Sequence, residues 1–229
     1  HNINKTSVCK LLFYIKNKHN FQGITFFNGY FYCSFDVGHG MGNIVKYDIS
    51  GKKASKTMPM FIGHSASIAY RTKTNKFYIA NGGGRNLTCI YIINYNKSKI
   101  IDTLKYKRLG TSALLAIDNI NNYLILHTVL HNGDLGNPTF TIINLSNMKV
   151  IHSFSAVREG IPQGLVADGK HIYLYTNNKI TVYNYTGTVL GKYHIKKQGE
   201  SEGIAIEYGQ TKSYLTVGYN SPNRIYKVR

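Results

Sequence analysis

Apolar and polar positions along this chain alternate in short bursts, broken by glycine or a turn-forming pair at nearly every tenth residue. Ile24-Thr25-Phe26-Phe27 gives way to Asn28-Gly29, then to Tyr30-Phe31-Tyr32-Cys33-Ser34-Phe35. A period of two places alternate side chains on opposite faces of a strand, and Asn-Gly between two such runs is a strong hairpin signal. No stretch sustains the i, i+3, i+4, i+7 apolar spacing of a helix for three turns. The pattern predicts an all-β protein.

One phrase recurs five times. A small or polar residue precedes an apolar strand opener, followed by a tight turn and a second strand rich in Tyr and Phe. The copies open at Gln22-Gly23-Ile24, Ser67-Ile68, Leu114-Leu115, Gln163-Gly164-Leu165 and Glu202-Gly203-Ile204. From Ile24 through Ile68, Leu115, Leu165 and Ile204 the intervals are 44, 47, 50 and 39 residues. Units of about 40–50 residues, each with four strand-like runs, are the signature of propeller blades. The expected architecture is a five-bladed β-propeller of four-stranded antiparallel blades, one domain over residues 1–229. The blades fall at 22–58, 65–105, 113–155, 163–195 and 202–228. The last unit has only three runs, at 202–207, 213–218 and 223–228, while an orphan run lies at 8–15 and resembles the other blades' fourth strands. Strand 8–15 is therefore expected to complete the fifth blade and close the ring, which hides two open sheet edges.

Charge adds a second theme. Lys and Arg number 28 against 10 Asp and Glu, a net charge of +18. The basic residues are scattered over many turns (Lys52-Lys53, Lys105 to Arg108, Lys196-Lys197), which suits a broad coat attracted to a polyanion. A groove that reads nucleic-acid sequence is not expected. Cys9, Cys33 and Cys89 are odd in number and lack CxxC spacing, which argues against a disulfide framework or a zinc knuckle and for small buried hydrophobes. No apolar run is long enough to span a membrane as a helix. A chain starting His1-Asn2-Ile3 without Met reads as processed or truncated, so the lack of a signal sequence says little about destination.

Two loop sets share the face where the inner strands begin. Blade-to-blade links run at 16–21, 59–64, 106–112, 157–162 and 196–201. Links from second to third strands run at 36–42, 82–87, 129–138, 177–178 and 219–222. The opposite face has tight turns, so binding is expected on the long-looped face. Residues opening the inner strands point to the central mouth there, and Gln22, His64, Gln163 and Glu202 are the expected ligand-binding set. His39, Arg85, His131 and Asp134 are peripheral loop candidates. No HxxxH or HExxH spacing supports a metal, and whether one occupies the channel is left open. No cofactor is expected. Gly82-Gly83-Gly84-Arg85 is a weak anion-binding signal, with no helix after it. Asp36, Asp134, Glu159, Glu200 and Glu202 are the acids placed at the mouth, from which a hydrolytic pair would have to come. There is no G-x-S-x-G elbow, and a non-enzymatic role is favoured.

The segment Ser201-Glu202-Gly203-Ile204, with Tyr214-Leu215-Thr216-Val217-Gly218-Tyr219-Asn220-Ser221 and Ile225-Tyr226, resembles the C-terminal part of helveticin J-type proteins, the class III bacteriocins of lactobacilli. Gly63-His64-Ser65-Ala66 with Lys76-Phe77-Tyr78-Ile79-Ala80, and Gln163-Gly164 with Ile172-Tyr173, extend the similarity. The resemblance implies secretion, action at a bacterial surface and no established catalytic residues. The expected function is that of a secreted antibacterial or cell-surface-binding propeller, monomeric, that recognises anionic wall polymers such as teichoic acid, or glycans. The alternatives are a lectin-like module without killing activity and a glycoside hydrolase or lyase with acids in the mouth.

Overall fold

The computed structural model describes residues 3–229. Two strands, β1 (Ile3–Thr6) and β2 (Cys9–Tyr14), precede the first blade. Blade one comprises β3 (Asn20–Phe27), β4 (Tyr30–Gly38), β5 (Met41–Tyr47) and β6 (Lys53–Lys56), and blade two β7 (Ser67–Arg71), β8 (Lys76–Ala80), β9 (Cys89–Asn94) and β10 (Lys99–Lys105). Blade three follows with β11 (Thr111–Asp118), β12 (Tyr123–Val129), β13 (Pro138–Asn144) and β14 (Lys149–Ser155). Blade four holds β15 (Gly164–Ala167), β16 (His171–Thr176), β17 (Lys179–Asn184) and β18 (Val189–His194). Blade five adds β19 (Ser201–Tyr208), β20 (Ser213–Tyr219) and β21 (Arg224–Val228). Each blade is an antiparallel sheet in chain order, and the five first strands lie against one another round the axis. Among the described residues there is no α-helix, only 3-10 turns at Lys107–Leu109 and Gly133–Leu135. The architecture is the five-bladed propeller that the repeat predicts.

The ring closes as the strand deficit requires. β2 pairs antiparallel with β21, Cys9 opposite Val228 and Tyr14 opposite Arg224, so blade five gains its fourth strand from the start of the chain. β1 was not foreseen. It runs parallel to β18 on the outside of blade four, Ile3 opposite Gly191 and Thr6 opposite His194. Its four residues are all exposed and show no apolar alternation, so the sequence carried no signal for it.

Alternation along the strands builds the core between blades. On β4, Phe31, Cys33 and Phe35 face blade five, where Phe13 and Ile225 meet them, while Tyr32 turns with Ile44 toward Ile68 and Phe77 of blade two. A comparable buried cluster fills each of the other three interfaces. Cys9, Cys33 and Cys89 are free, and Cys33 is fully buried.

The glycine of the repeat has a packing reason. A Cβ on Gly164 would lie 2.9 Å from the backbone nitrogen of Ile204, and one on Gly203 the same distance from that of Ile24. Gly203 also has φ +72°, a conformation that L side chains rarely adopt. These residues let adjacent inner strands approach backbone to backbone.

Residues 36–42, read as a long loop, are instead mostly ladder. β4 continues to Gly38 and β5 starts at Met41, leaving His39-Gly40 as a two-residue turn with φ 56° and 74°. Positive φ at both central positions is what a type I′ hairpin needs, so the glycines that suggest a loop serve a tight turn.

Candidate functional site

Counted from the apolar residue of each repeat, the position two before it is Gln22, Ala66, Ala113, Gln163 or Glu202. All five line one cavity of about 170 Å³ at the long-looped end of the axis. The fold thus brings an equivalent side chain from every blade to one place. Blades two and three contribute alanine and leave space, while blades one, four and five supply a polar arc of Gln22, Gln163 and Glu202. His64 reaches the same cavity from the loop before β7, as do Asn20, Ser112, Asp134 and Glu200 from neighbouring segments.

Glu202 is 2% exposed. Its Oε1 accepts a hydrogen bond from Asn220 Nδ2 at 3.3 Å, and its Oε2 is buried with no partner. Burial, and then the charge of Glu200, push its pKa up to about 9, so the carboxyl is protonated at neutral pH. Glu200 is exposed. Its Oε1 accepts from Gln163 Nε2 at 3.1 Å, and its backbone N–H donates to Asn220 Oδ1 at 2.8 Å. Asn220 therefore holds the two acids of one strand start in place.

The opposite wall is built from a chain of hydrogen bonds. Ser112 Oγ donates to Asp134 Oδ1 at 2.6 Å, and the Ser112 carbonyl accepts from His127 Nδ1 at 2.9 Å. His127 is fully buried, and desolvation lowers its pKa to about 4, so it is neutral. Arg158 Nε donates to the Asp134 carbonyl at 2.9 Å. His64 Nδ1 lies 2.7 Å from Asp36 Oδ2. The lining of the cavity includes Asp134, Glu200 and Glu202 but neither Lys nor Arg. In a chain of net charge +18, that is a local inversion of sign.

A groove of about 800 Å³ opens beside the mouth between blades one and two, sharing His64 and Gly83 with it. His39 and Arg85 line this groove with Asp36, Tyr91 and Lys107. His131 is exposed and lines neither space. Asp134, read both as a peripheral loop residue and as a mouth acid, lines the mouth. Glu159, expected among the mouth acids, is instead clamped by Lys179 Nζ at 2.7 Å and Lys192 Nζ at 2.8 Å. Burial alone would raise its pKa, but the two ammonium groups hold it below the usual value. Its glycine-flanked loop position gave no hint of partners on β17 and β18. Sequence reasoning missed Asn220 and His127, since Asn is common throughout the chain and His127 is one apolar-face residue among many. Among the described residues no three His, Cys, Asp or Glu side chains gather in a way that would hold a metal ion.

A second groove of about 800 Å³ lies between blades four and five, where β1 and β2 cross from one to the other. Lys5, Lys10, Lys212, Lys227 and Arg229 line it, along with Tyr173, Tyr193 and Tyr214. Lys227 Nζ sits 4.1 Å from the centre of the Tyr214 ring and Lys5 Nζ 5.4 Å from that of Tyr193. These cations come from both ends of the chain, so no linear motif announces them.

No protein-family model and no curated protein matches the chain, so the similarity to helveticin J-type proteins stands on the quoted segments alone. Among solved structures, the chain is similar to the tail fibre of Staphylococcus aureus phage P68, with TM-score 0.66 and 18% identity over 97% of this chain and 52% of that one. It is also similar to Kuenenia stuttgartiensis hydrazine synthase, with TM-score 0.55 and 13% identity over 90% of this chain and 63% of that one. The WD40 repeats of RRP9 match with TM-score 0.54 and 8% identity, over 96% of each chain. The chain spans about half the length of the tail-fibre chain. At such identities the likeness concerns the fold, and the fold is that of a β-propeller.

Proposed function

We propose that the protein is a non-catalytic module that attaches to a bacterial surface, gripping a hydroxyl-rich glycan unit in its axial mouth and using its positive coat to gather on anionic polymer. The observation that carries this reading is the convergence of polar side chains from three blades, with His64 and Asp134 from the other two, on one small cavity at the long-looped face. Recognition groups that add little to the core are typical of a binding pocket. The likeness in fold to the tail fibre of a Staphylococcus aureus phage supports the reading, as does the secretion implied by the helveticin-type resemblance.

The two roles fall to different regions. Acids in the mouth repel a polyanion, whereas the lysine- and tyrosine-lined groove between blades four and five attracts one and offers aromatic faces for sugar rings. Wall teichoic acid would meet that groove and the surrounding charge, and a neutral or cationic unit would meet the mouth. Antibacterial action is the finer form of this proposal, and killing of an indicator strain separates it from a lectin-like role. A hydrolase or lyase reading rests on Glu200 and Glu202, and wall-glycan turnover that disappears in E202Q would favour it.

The test is binding to purified walls, with and without teichoic acid, from about 50 to 500 mM salt, where the Debye length drops below about 10 Å. Wild-type binding should weaken steeply with salt and with teichoic acid removed, and K5A/K212A should reproduce part of that loss. Q163A should weaken binding at every salt concentration without changing the melting temperature. Salt-indifferent binding would remove the polyanion, and normal binding by Q163A and Q22A would remove the mouth.

A further inference from the structure

Given the reading of the mouth as the recognition site, we propose that it is the seat of a primary ammonium group, so that the anchoring unit of the ligand is an amine-bearing sugar or aminoacyl substituent. Three observations converge. The cavity of about 170 Å³ has room for about five waters, enough for one small headgroup and too little for a polymer strand. Its lining is rich in acceptors: the unpartnered Oε2 of Glu202, the carboxylates of Glu200 and Asp134, and the side-chain carbonyls of Gln22 and Gln163. Gln163 donates one of its two amide hydrogens to Glu200, which fixes the amide at the edge of this acceptor set. An ammonium brings three donors and no acceptor, which complements this set, whereas a hydroxyl donates one hydrogen and brings lone pairs of its own.

The sign of the field points the same way. Glu200 and Glu202 leave one strand start together, Asp134 faces them across the cavity, and Asp36 stands behind His64. Asn220, Gln163 and Gln22 beside Glu202 are neutral amides, and His64 is the remaining titratable side chain of the lining. Two guanidinium groups stand behind the wall and do not line the cavity: Arg224 donates to the Asn220 carbonyl at 2.7 Å and Arg158 to the Asp134 carbonyl at 2.9 Å. A buried carboxyl left with an unused oxygen among like charges is costly unless something positive arrives. When an ammonium docks, the Glu202 carboxyl gives its proton to solvent and becomes the carboxylate of an ion pair. The amine keeps all three of its hydrogens, so one proton is released for each ligand bound. Binding should accordingly tighten as pH rises while the amine remains charged.

The probes are 2-aminoethyl glucoside, its 2-hydroxyethyl counterpart and its N-acetylated form, titrated calorimetrically at pH 5.5, 7 and 8.5. Two buffers of different ionisation heat count the protons. An alkylamine with a pKa near that of lysine, about 10.4, keeps its charge over this range. The amine should bind at least about tenfold more tightly than the hydroxyl or acetamide form, as charge-assisted hydrogen bonds require. Its affinity should rise from pH 5.5 to 8.5, with release approaching one proton. E202Q should remain folded and lose both the preference and the pH dependence. Equal binding of the three probes by the wild type, or an amine preference that survives in E202Q, overturns the ammonium assignment. Q163A in the wall-binding assay keeps the two proposals apart. If it loses wall binding while the probes bind alike, the mouth is a recognition site for a neutral unit. If it binds walls normally, the broader reading has failed.

Discussion

Replacing Glu202 by Gln should stabilise the protein, by an amount that grows with pH. The carboxyl moves from an ordinary 4.5 in the unfolded chain to about 9 in the fold, because burial and then Glu200 penalise its ionised form. Below pH 4.5 it is protonated in both states and costs nothing. Between 4.5 and 9 the unfolded chain sheds a proton that the folded protein keeps, so stability falls by about 1.4 kcal/mol for each pH unit. Above 9 both states are ionised and the loss is complete. At pH 7, two and a half units into that window, the deficit is about 3 kcal/mol. For a chain of this size each kcal/mol shifts the melting temperature by about 2–4 °C, so E202Q should melt roughly 10 °C above the wild type at pH 7. The two proteins should converge toward pH 4.5 apart from any constant offset left by the amide. Thermal melts of both proteins from pH 4 to 9 supply the check. Profiles that run parallel across the whole range would refute the reasoning, since they would mean that the carboxyl ionises in the fold as freely as in the unfolded chain.

Other perturbations probe the frame around the mouth. G203A forces a left-handed φ and a Cβ contact of 2.9 Å with backbone, and it should lower stability by about 3 kcal/mol or more in a denaturant titration; a wild-type midpoint would mean the inner strands can separate. E159Q leaves the part-exposed Lys179 and Lys192 without their buried partner, at a cost of about 1–3 kcal/mol. The wild-type contribution of that cluster is present at neutral pH and is lost as pH falls through the depressed folded pKa of Glu159, so the gap between the two proteins should close in acid. Removing residues 1–6 takes away the exposed β1 and leaves buried Ser7 in place, and it should move the melting temperature by a few degrees at most, on the order of 1 kcal/mol. Removing residues 1–15 also takes buried Phe13 and Ile15 and uncovers β21, and it should cost several kcal/mol and promote aggregation. Equal melting of the two truncations would mean that β2 does not close the ring.

The parts of the fold that local chemistry dictates were legible in the sequence. Period-two alternation and Asn-Gly turns mark hairpins because both act over a few residues, and the missing strand at one end pointed to the orphan at the other. The mouth positions were legible for the same reason: a residue just before an inner-strand opener sits at the axis whatever surrounds it, which is how Gln22, Gln163 and Glu202 came to be identified. What stayed hidden depends on partners far along the chain. Glu159 reads as a loop acid until β17 and β18 bring Lys179 and Lys192 to it. His64, placed at the mouth by its position before β7, does line it, but it enters from the loop, and the position equivalent to Gln22 in that blade is Ala66, which leaves space. The hydrogen bonds of Asn220 to the Glu200–Glu202 strand start, and the support of Ser112 by His127, cross from one strand to another and leave no spacing to detect.

On the proposed reading, the division of charge between coat and mouth gives the two binding contributions different ranges. Lysines on the outer strands and turns act through water, so their pull is felt at a distance but fades within about 10 Å at 0.1 M salt. The acids of the mouth act across a few ångströms in a largely buried cavity, where solvent ions screen them far less. A polyanionic surface attracts the coat and is repelled by the mouth, so simple adhesion of a polyanion would not occupy the axis. On the proposed reading the axial cavity would accept a unit able to satisfy Glu202 and its neighbours and so act as the selective element, while the coat would set how often such units are met. An asymmetric arc of Gln, Gln and Glu on an otherwise repeated ring fits that proposed division: five equivalent positions would supply the shape, and departures from equivalence the preference.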